Sequence, residues 1–192
     1  MNNSRSWLTQ GGENPNYHEI SFIRDGLALT NLKPPNQPDI LKKHGIRSIL
    51  SLYQPSKDDL DLSAATTGWA SVDSLRPIEI LIGEGDAPHP RLLEVGVKRR
   101  VMHAINDDGT NSKQKLIRAV ELLSELHSRN SPVLVHCRLG ASRTPAVVAC
   151  YLAKKDGISF REAVNEIARI RSVAIAEELA ITITNANGVE LE

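Results

Sequence analysis

Cys137 and Arg143, separated by five residues, are the pair in this sequence whose types and spacing can carry chemistry. They lie in Val135-His136-Cys137-Arg138-Leu139-Gly140-Ala141-Ser142-Arg143-Thr144, between the apolar run Pro132–Val135 and an apolar helical pattern over Ala146–Ala153. That order predicts a buried strand, a tight loop and a helix. A loop wrapped ahead of a helix N-terminus turns its backbone N–H groups inward and adds the positive end of the helix dipole, which makes an anion cradle of phosphate size. Here the N–H groups would come from Arg138, Leu139, Gly140, Ala141, Ser142 and Arg143, and Gly140 lets the backbone curl that tightly. Arg143 can grip two phosphate oxygens with its planar fork and stabilise charge on a transferring phosphoryl group. The same field favours the thiolate form of Cys137, which is then a ready nucleophile. A lone Cys at a strand end is usually an apolar filler; His136, Gly140 and Arg143 in register with it argue otherwise.

The elements needed to position such a loop are readable around it. Two apolar runs within Ile20–Thr30 flank Asp25-Gly26 and predict a β-hairpin. Asp39–His44 predicts a short helix with Gly45 just past it, and Ile46–Leu52 a buried strand. Arg100–Ile105 predicts another strand, running into the polar turn Asn106-Asp107-Asp108-Gly109-Thr110 and placing two carboxylates at its end. Leu116, Ile117, Val120, Leu123 and Leu126 recur at helical steps after Ser112. Ser159 and Glu162 have capping-box spacing and predict a helix through Arg171, followed by a last helix over Val173–Ile183. The stretch Gln54–Lys98 reads only as mixed strand and loop, and the Lys98-Arg99-Arg100 triplet as a solvated face. Cys150 falls on an apolar helix face and is expected to pack in the core. Strands alternating with helices predict one α/β domain over residues 17–192, a central, mostly parallel sheet flanked by helices, preceded by a flexible tail at 1–16. Ligands then belong at the carboxyl ends of the strands.

Composition narrows the function classes. With 192 residues, 41% of them apolar and 24% charged, the chain has ordinary globular composition. Its 23 basic and 23 acidic residues cancel, so no global field draws it to nucleic acid or to an anionic membrane. No run approaches the ~18 apolar residues of a membrane span, and the polar opening lacks the apolar core of a signal peptide. Two cysteines and scattered histidines predict neither a disulfide framework nor a metal site. A cytoplasmic monomer with no cofactor is the expectation.

The loop matches HCxxGxSR[ST], and the sequence resembles the dual-specificity phosphatases, within the broader cysteine-based protein phosphatases. The resemblance extends to Leu27-Ala28-Leu29, to Gly45–Leu50 and to Ser159–Arg171, covering about Tyr17 to Thr184. It implies attack by Cys137 on phosphorus, a phosphocysteine intermediate and its hydrolysis by water, with the Thr144 hydroxyl easing departure of the thiolate and His136 supporting the loop and tuning the cysteine. It also implies a general acid on a separate loop about thirty residues before the cysteine, for which Asp107 is preferred and Asp108 is the alternative. The implied substrate is a phosphoprotein carrying phosphotyrosine, phosphoserine or phosphothreonine. Related enzymes use the same loop on phosphoinositides, phosphoglycans or RNA 5′-phosphates, and Arg138 is compatible with such highly charged substrates. A catalytically silent phosphate-binding module is the reading from another class; retention of Cys137, Arg143 and an Asp argues against it.

Overall fold

The computed structural model describes residues 9–10, 19–31, 37–53, 78–81 and 95–192. Strand β1 (Thr9–Gln10) precedes a hairpin of β2 (Ser21–Arg24) and β3 (Leu27–Thr30), turned at Asp25-Gly26 as expected. Gly26 sits at φ 72°, and a Cβ there would meet Ser131 Oγ at 2.8 Å, so both the turn and the close approach call for glycine. Helix α1 (Pro38–Lys43) leads into β4 (Ser48–Ser51), and β5 (Ile78–Leu81) into β6 (Arg99–Met102). Then come α2 (Lys113–Arg129), β7 (Val133–His136), α3 (Arg143–Asp156), α4 (Phe160–Ala168), β8 (Val173–Ala174) and α5 (Glu177–Asn187).

Six of the described strands form one sheet in the order β2-β3-β7-β4-β6-β5. The four inner strands β3, β7, β4 and β6 are parallel, and β2 and β5 join antiparallel at the edges. The parallel strands end level: Thr30 and Ser51 both lie opposite His136, and Ser51 lies opposite Met102. Side chains alternate between two covered faces, as a sheet buried on both sides requires. Leu27, Leu29, Leu50, Val101, Val133 and Val135 face the layer of α2 to α5, while Ala28, Ile49 and Leu134 pack with Leu41 and Ile46 on the side of α1. Helix α3 is buried continuously from Thr144 to Ala153 because α2, α4 and α5 surround it. Among the described residues no helix is long and apolar enough to cross a membrane.

Three expectations need correction. The last helix does not begin at Val173: Val173 and Ala174 form β8 and pair antiparallel with Gln10 and Thr9, and α5 starts at Glu177 and continues to Asn187. Val173 and Ile175 are buried with Ala174 exposed between them, a two-residue period in β-branched residues that belongs to extended chain. Helix α4 stops at Ala168 rather than Arg171. The Lys98-Arg99-Arg100 triplet is solvated only in part: Lys98 is exposed and Arg99 half-buried, but Arg100 is only 6% exposed on β6, an inner strand, and burial lowers its pKa. Expectations for the first sixteen residues lie outside the described residues except at Thr9–Gln10, and those for Gln54–Lys98 except at 78–81 and 95–98.

The capping box is present as read. Ser159 Oγ accepts from the Glu162 N–H at 3.2 Å, and Glu162 Oε2 accepts from the Ser159 N–H at 2.9 Å. Ser159→Ala is expected to cost about 1 kcal/mol of stability, seen as a lowered midpoint in thermal denaturation; an unchanged midpoint would mean that the cap contributes nothing.

Candidate active site

The level ends of the parallel strands supply the platform. His136, the last residue of β7, is fully buried and bonds through Nε2 to Ser51 Oγ at 2.6 Å. Its ring meets that of Tyr53 edge-on, with centroids 5.5 Å apart. Burial, reinforced by the charge of Arg100, holds the imidazole well below its ordinary pKa, so His136 is neutral and its orientation is fixed by Ser51 and Tyr53. The His136 carbonyl accepts from the Leu52 N–H at 2.8 Å, which keeps the chain aligned with β4 up to the point where the loop departs.

The next residue is Cys137, 2% exposed, and the loop closes around it. The Gly140 N–H donates to Cys137 Sγ at 3.2 Å, so the sulfur turns toward the inside of the loop. Gly140 has φ 75°, and a Cβ there would lie 2.7 Å from the Thr30 carbonyl oxygen and 2.9 Å from Arg171 Nη2. The loop is therefore pressed against the end of β3 and against a buried arginine. On its other flank the Ala174 N–H donates to the Ala141 carbonyl at 2.8 Å, and the Ala176 N–H to Ser142 Oγ at 3.1 Å. Arg138 and Leu139 form the outer rim, with Leu139 70% exposed.

Arg143 opens α3 directly after the loop. Its Nη1 donates over long distances to two carbonyls, Leu52 at 3.5 Å just past β4 and Ile105 at 3.4 Å beyond β6. The guanidinium is thus tethered across the mouth between two strand ends. Thr144 is fully buried, and its hydroxyl has no hydrogen-bond partner among the described residues. A buried hydroxyl left without a partner is costly, so this one is available for a group that arrives or for a charge that develops beside it.

The two aspartates separate. Asp108 Oδ1 accepts from both the N–H and the hydroxyl of Thr110, at 2.8 and 2.5 Å, bonds that lower its pKa and occupy it within its own turn. Asp107 instead reaches the loop, where its Oδ1 accepts from the Ser142 hydroxyl. The turn between them and α2 is held by Asn111, whose side chain accepts from the Asn106 N–H at 2.8 Å and donates to the Asn106 carbonyl at 3.0 Å. The structure therefore brings Cys137, Arg143 and Asp107 to one loop and turns Asp108 away.

Cys150 lies elsewhere. It is fully buried on α3, donates to the Ile183 carbonyl at 3.8 Å, and burial pushes its thiol up to about 12, as befits a packing residue. Sequence reasoning missed Thr30, Ser51, Tyr53, Arg171 and the side-chain role of Ser142. Thr30 and Ser51 carried a usable signal, as hydroxyl residues directly following apolar pairs at strand ends; Tyr53 carried none.

The model of the family described as dual specificity phosphatase, catalytic domain, matches residues 87–182. The chain is 25% identical over 154 residues to dual specificity protein phosphatase 1 of Arabidopsis thaliana, covering 80% of this chain and 61% of that protein. It is 35% identical over 78 residues to phosphatidylglycerophosphatase and protein-tyrosine phosphatase 1 of Rattus norvegicus, covering 41% of this chain and 40% of that protein. The chain therefore spans less than two thirds of the length of either relative. Among solved structures, Tk-PTP in its active form superposes with a TM-score of 0.61 at 18% identity over 88% of this chain and 97% of that one. PTPMT1 in complex with PI(5)P gives 0.62 at 16% identity over 88% and 94%. At those identities the likeness is one of fold.

Because the Thr30 carbonyl is backbone and cannot step aside, Gly140→Ala is expected to distort the cradle as well as strain φ, at about 1–2 kcal/mol for the left-handed conformation alone. Titration with tungstate should show oxyanion affinity lowered by about tenfold or more. Unaltered affinity would mean that the loop tolerates a side chain where the structure shows contact.

Proposed function

The chain belongs to the dual specificity phosphatase family, and from that premise we propose that it hydrolyses phosphate monoesters through a covalent phosphocysteine on Cys137. The observation that carries the reading is the joining of sulfur and carboxylate on one loop: Cys137 Sγ faces the Gly140 N–H inside it, and Asp107 is bonded to its rim at Ser142. Cys137 thiolate attacks phosphorus in line with the leaving oxygen. As the P–O bond breaks, Asp107 gives its proton to that oxygen, and the loop amides with Arg143 hold the three equatorial oxygens. Asp107, now a carboxylate, takes a proton from water, whose oxygen attacks phosphorus; the S–P bond breaks and inorganic phosphate leaves. The Thr144 hydroxyl supports the departing thiolate, a role consistent with its having no other partner among the described residues. His136, neutral and fixed by Ser51, keeps the start of the loop in place.

Phosphoprotein is the substrate proposed first, in keeping with the relatives named protein phosphatases. A phospholipid monoester is the second reading. It is favoured by the relative named phosphatidylglycerophosphatase and by the exposed pairing of cationic Arg138 with apolar Leu139 on the rim, a combination that suits a charged headgroup at an apolar boundary.

Cys137→Ser is expected to abolish turnover of p-nitrophenyl phosphate while tungstate still binds; undiminished turnover would remove Cys137 as nucleophile. Asp107→Asn should lower kcat/KM by roughly 10²–10⁴-fold on substrates with basic leaving groups and erase the basic limb of the pH profile, whereas Asp108→Asn should keep that limb. The reverse assignment would follow if only the Asp108 variant lost it. Turnover compared between phosphopeptides and phosphoinositide vesicles decides between the two substrates.

A further inference from the structure

A phosphate cradle uses the backbone N–H of Ser142 and leaves its side chain uncommitted, yet that side chain is fully engaged. The Ser142 hydroxyl donates to Asp107 Oδ1 and accepts from the Ala176 N–H at 3.1 Å. An amide N–H can only donate, so Ala176 obliges Ser142 Oγ to accept there and leaves the hydroxyl hydrogen for Asp107. The donor atom is itself anchored, because the neighbouring Ala174 N–H bonds the Ala141 carbonyl at 2.8 Å.

We propose that Ser142 is the positioning residue for Asp107, holding Oδ1 as an acceptor so that Oδ2 is the oxygen that carries the proton to the leaving group. This rests on the reading of Asp107 as the general acid. A carboxyl group has two equivalent oxygens and a broad terminal torsion, and left alone it delivers its proton from either oxygen over a range of angles. A hydroxyl fixed on Oδ1 removes that ambiguity, and an efficient proton transfer requires the donor within hydrogen-bond reach of its target. The bond also strengthens as Asp107 becomes anionic, since hydrogen bonds to a charged acceptor are roughly twice as strong as neutral ones. The interaction therefore grows along the reaction coordinate. Arg143 adds a second tether, its Nη1 reaching the Ile105 carbonyl two residues before Asp107 at 3.4 Å. On the far side the turn is bounded by α5, where Glu178 Cβ would lie 3.4 Å from a Cβ on Gly109. The acid loop is thus gripped by the nucleophile loop rather than merely adjacent to it.

The test compares Ser142→Ala, Ser142→Thr, Asp107→Asn and the Ser142→Ala/Asp107→Asn double variant in the full chain. The readout is kcat/KM for p-nitrophenyl, phenyl and alkyl phosphates, which differ in leaving-group basicity, together with inhibition by inorganic phosphate. Ser142→Ala is expected to lose about 10- to 100-fold on phenyl phosphate and progressively less on better leaving groups, steepening the leaving-group dependence. Ser142→Thr, which keeps the hydroxyl, is expected to restore the shallow slope. The double variant should be no slower than Asp107→Asn alone, as for residues acting as one unit. If Asp107→Asn steepens the dependence and Ser142→Ala does not, the positioning role is overturned while Asp107 stands as the acid. If neither does, the assignment of Asp107 falls and takes this inference with it. A Ser142→Ala loss equal for all three esters and matched by weaker phosphate inhibition would make Ser142 part of the cradle alone, which also overturns it.

Discussion

Everything at this site depends on closing the loop between Cys137 and Arg143, with the Gly140 N–H turned in toward the sulfur, without leaving its outward side unsupported. A loop of that kind has no helix or sheet ladder of its own, so neighbouring elements must hold it. Thr30, at the end of β3, presses on Gly140 from one side, and the extended chain at Ala174–Ala176 bonds Ala141 and Ser142 from the other. Arg143 then ties the exit of the loop to the carbonyls of Leu52 and Ile105. Support comes from four separate stretches of chain, which explains why so small a loop needs so large a fold behind it.

What was legible in the sequence was whatever a local cause decides. The Asp25-Gly26 turn, the Ser159–Glu162 capping box and the strand, loop and helix order around Cys137 each rest on residues a few positions apart, and each is present as read. What was not legible was decided by distant partners. Val173 and Ala174 are extended because Thr9 and Gln10 pair with them, and Arg100 is buried on β6, which runs between β4 and β5 inside the sheet. The choice between Asp107 and Asp108 could not be read from a dipeptide whose two members have the same chemistry. The two part through their partners, Asp107 bonding Ser142, thirty-five residues away, and Asp108 bonding Thr110 within its own turn.

The two cysteines show how strongly surroundings govern one side-chain type. Both are buried, at 2% and 0% exposure, and both join the same apolar cluster. Cys150 sits within a helix whose amides are already bonded, and burial simply suppresses its ionisation. Cys137 stands where a strand has just ended and an amide hydrogen faces its sulfur. Burial alone therefore does not tell the two thiols apart; the direction of nearby backbone dipoles does.

The level ending of β3, β7, β4 and β6 has a bearing on how such a protein can diverge. Adding or deleting one residue inside any of those strands would carry its following segment about 3.3 Å along the strand axis, comparable to the whole reach between a nucleophile and its target. Connections that leave the platform and return to it suffer no such penalty, because their length costs only slowly growing closure entropy. Natural variation in what this architecture accepts is thus channelled into its loops, with strand lengths as the part that cannot drift.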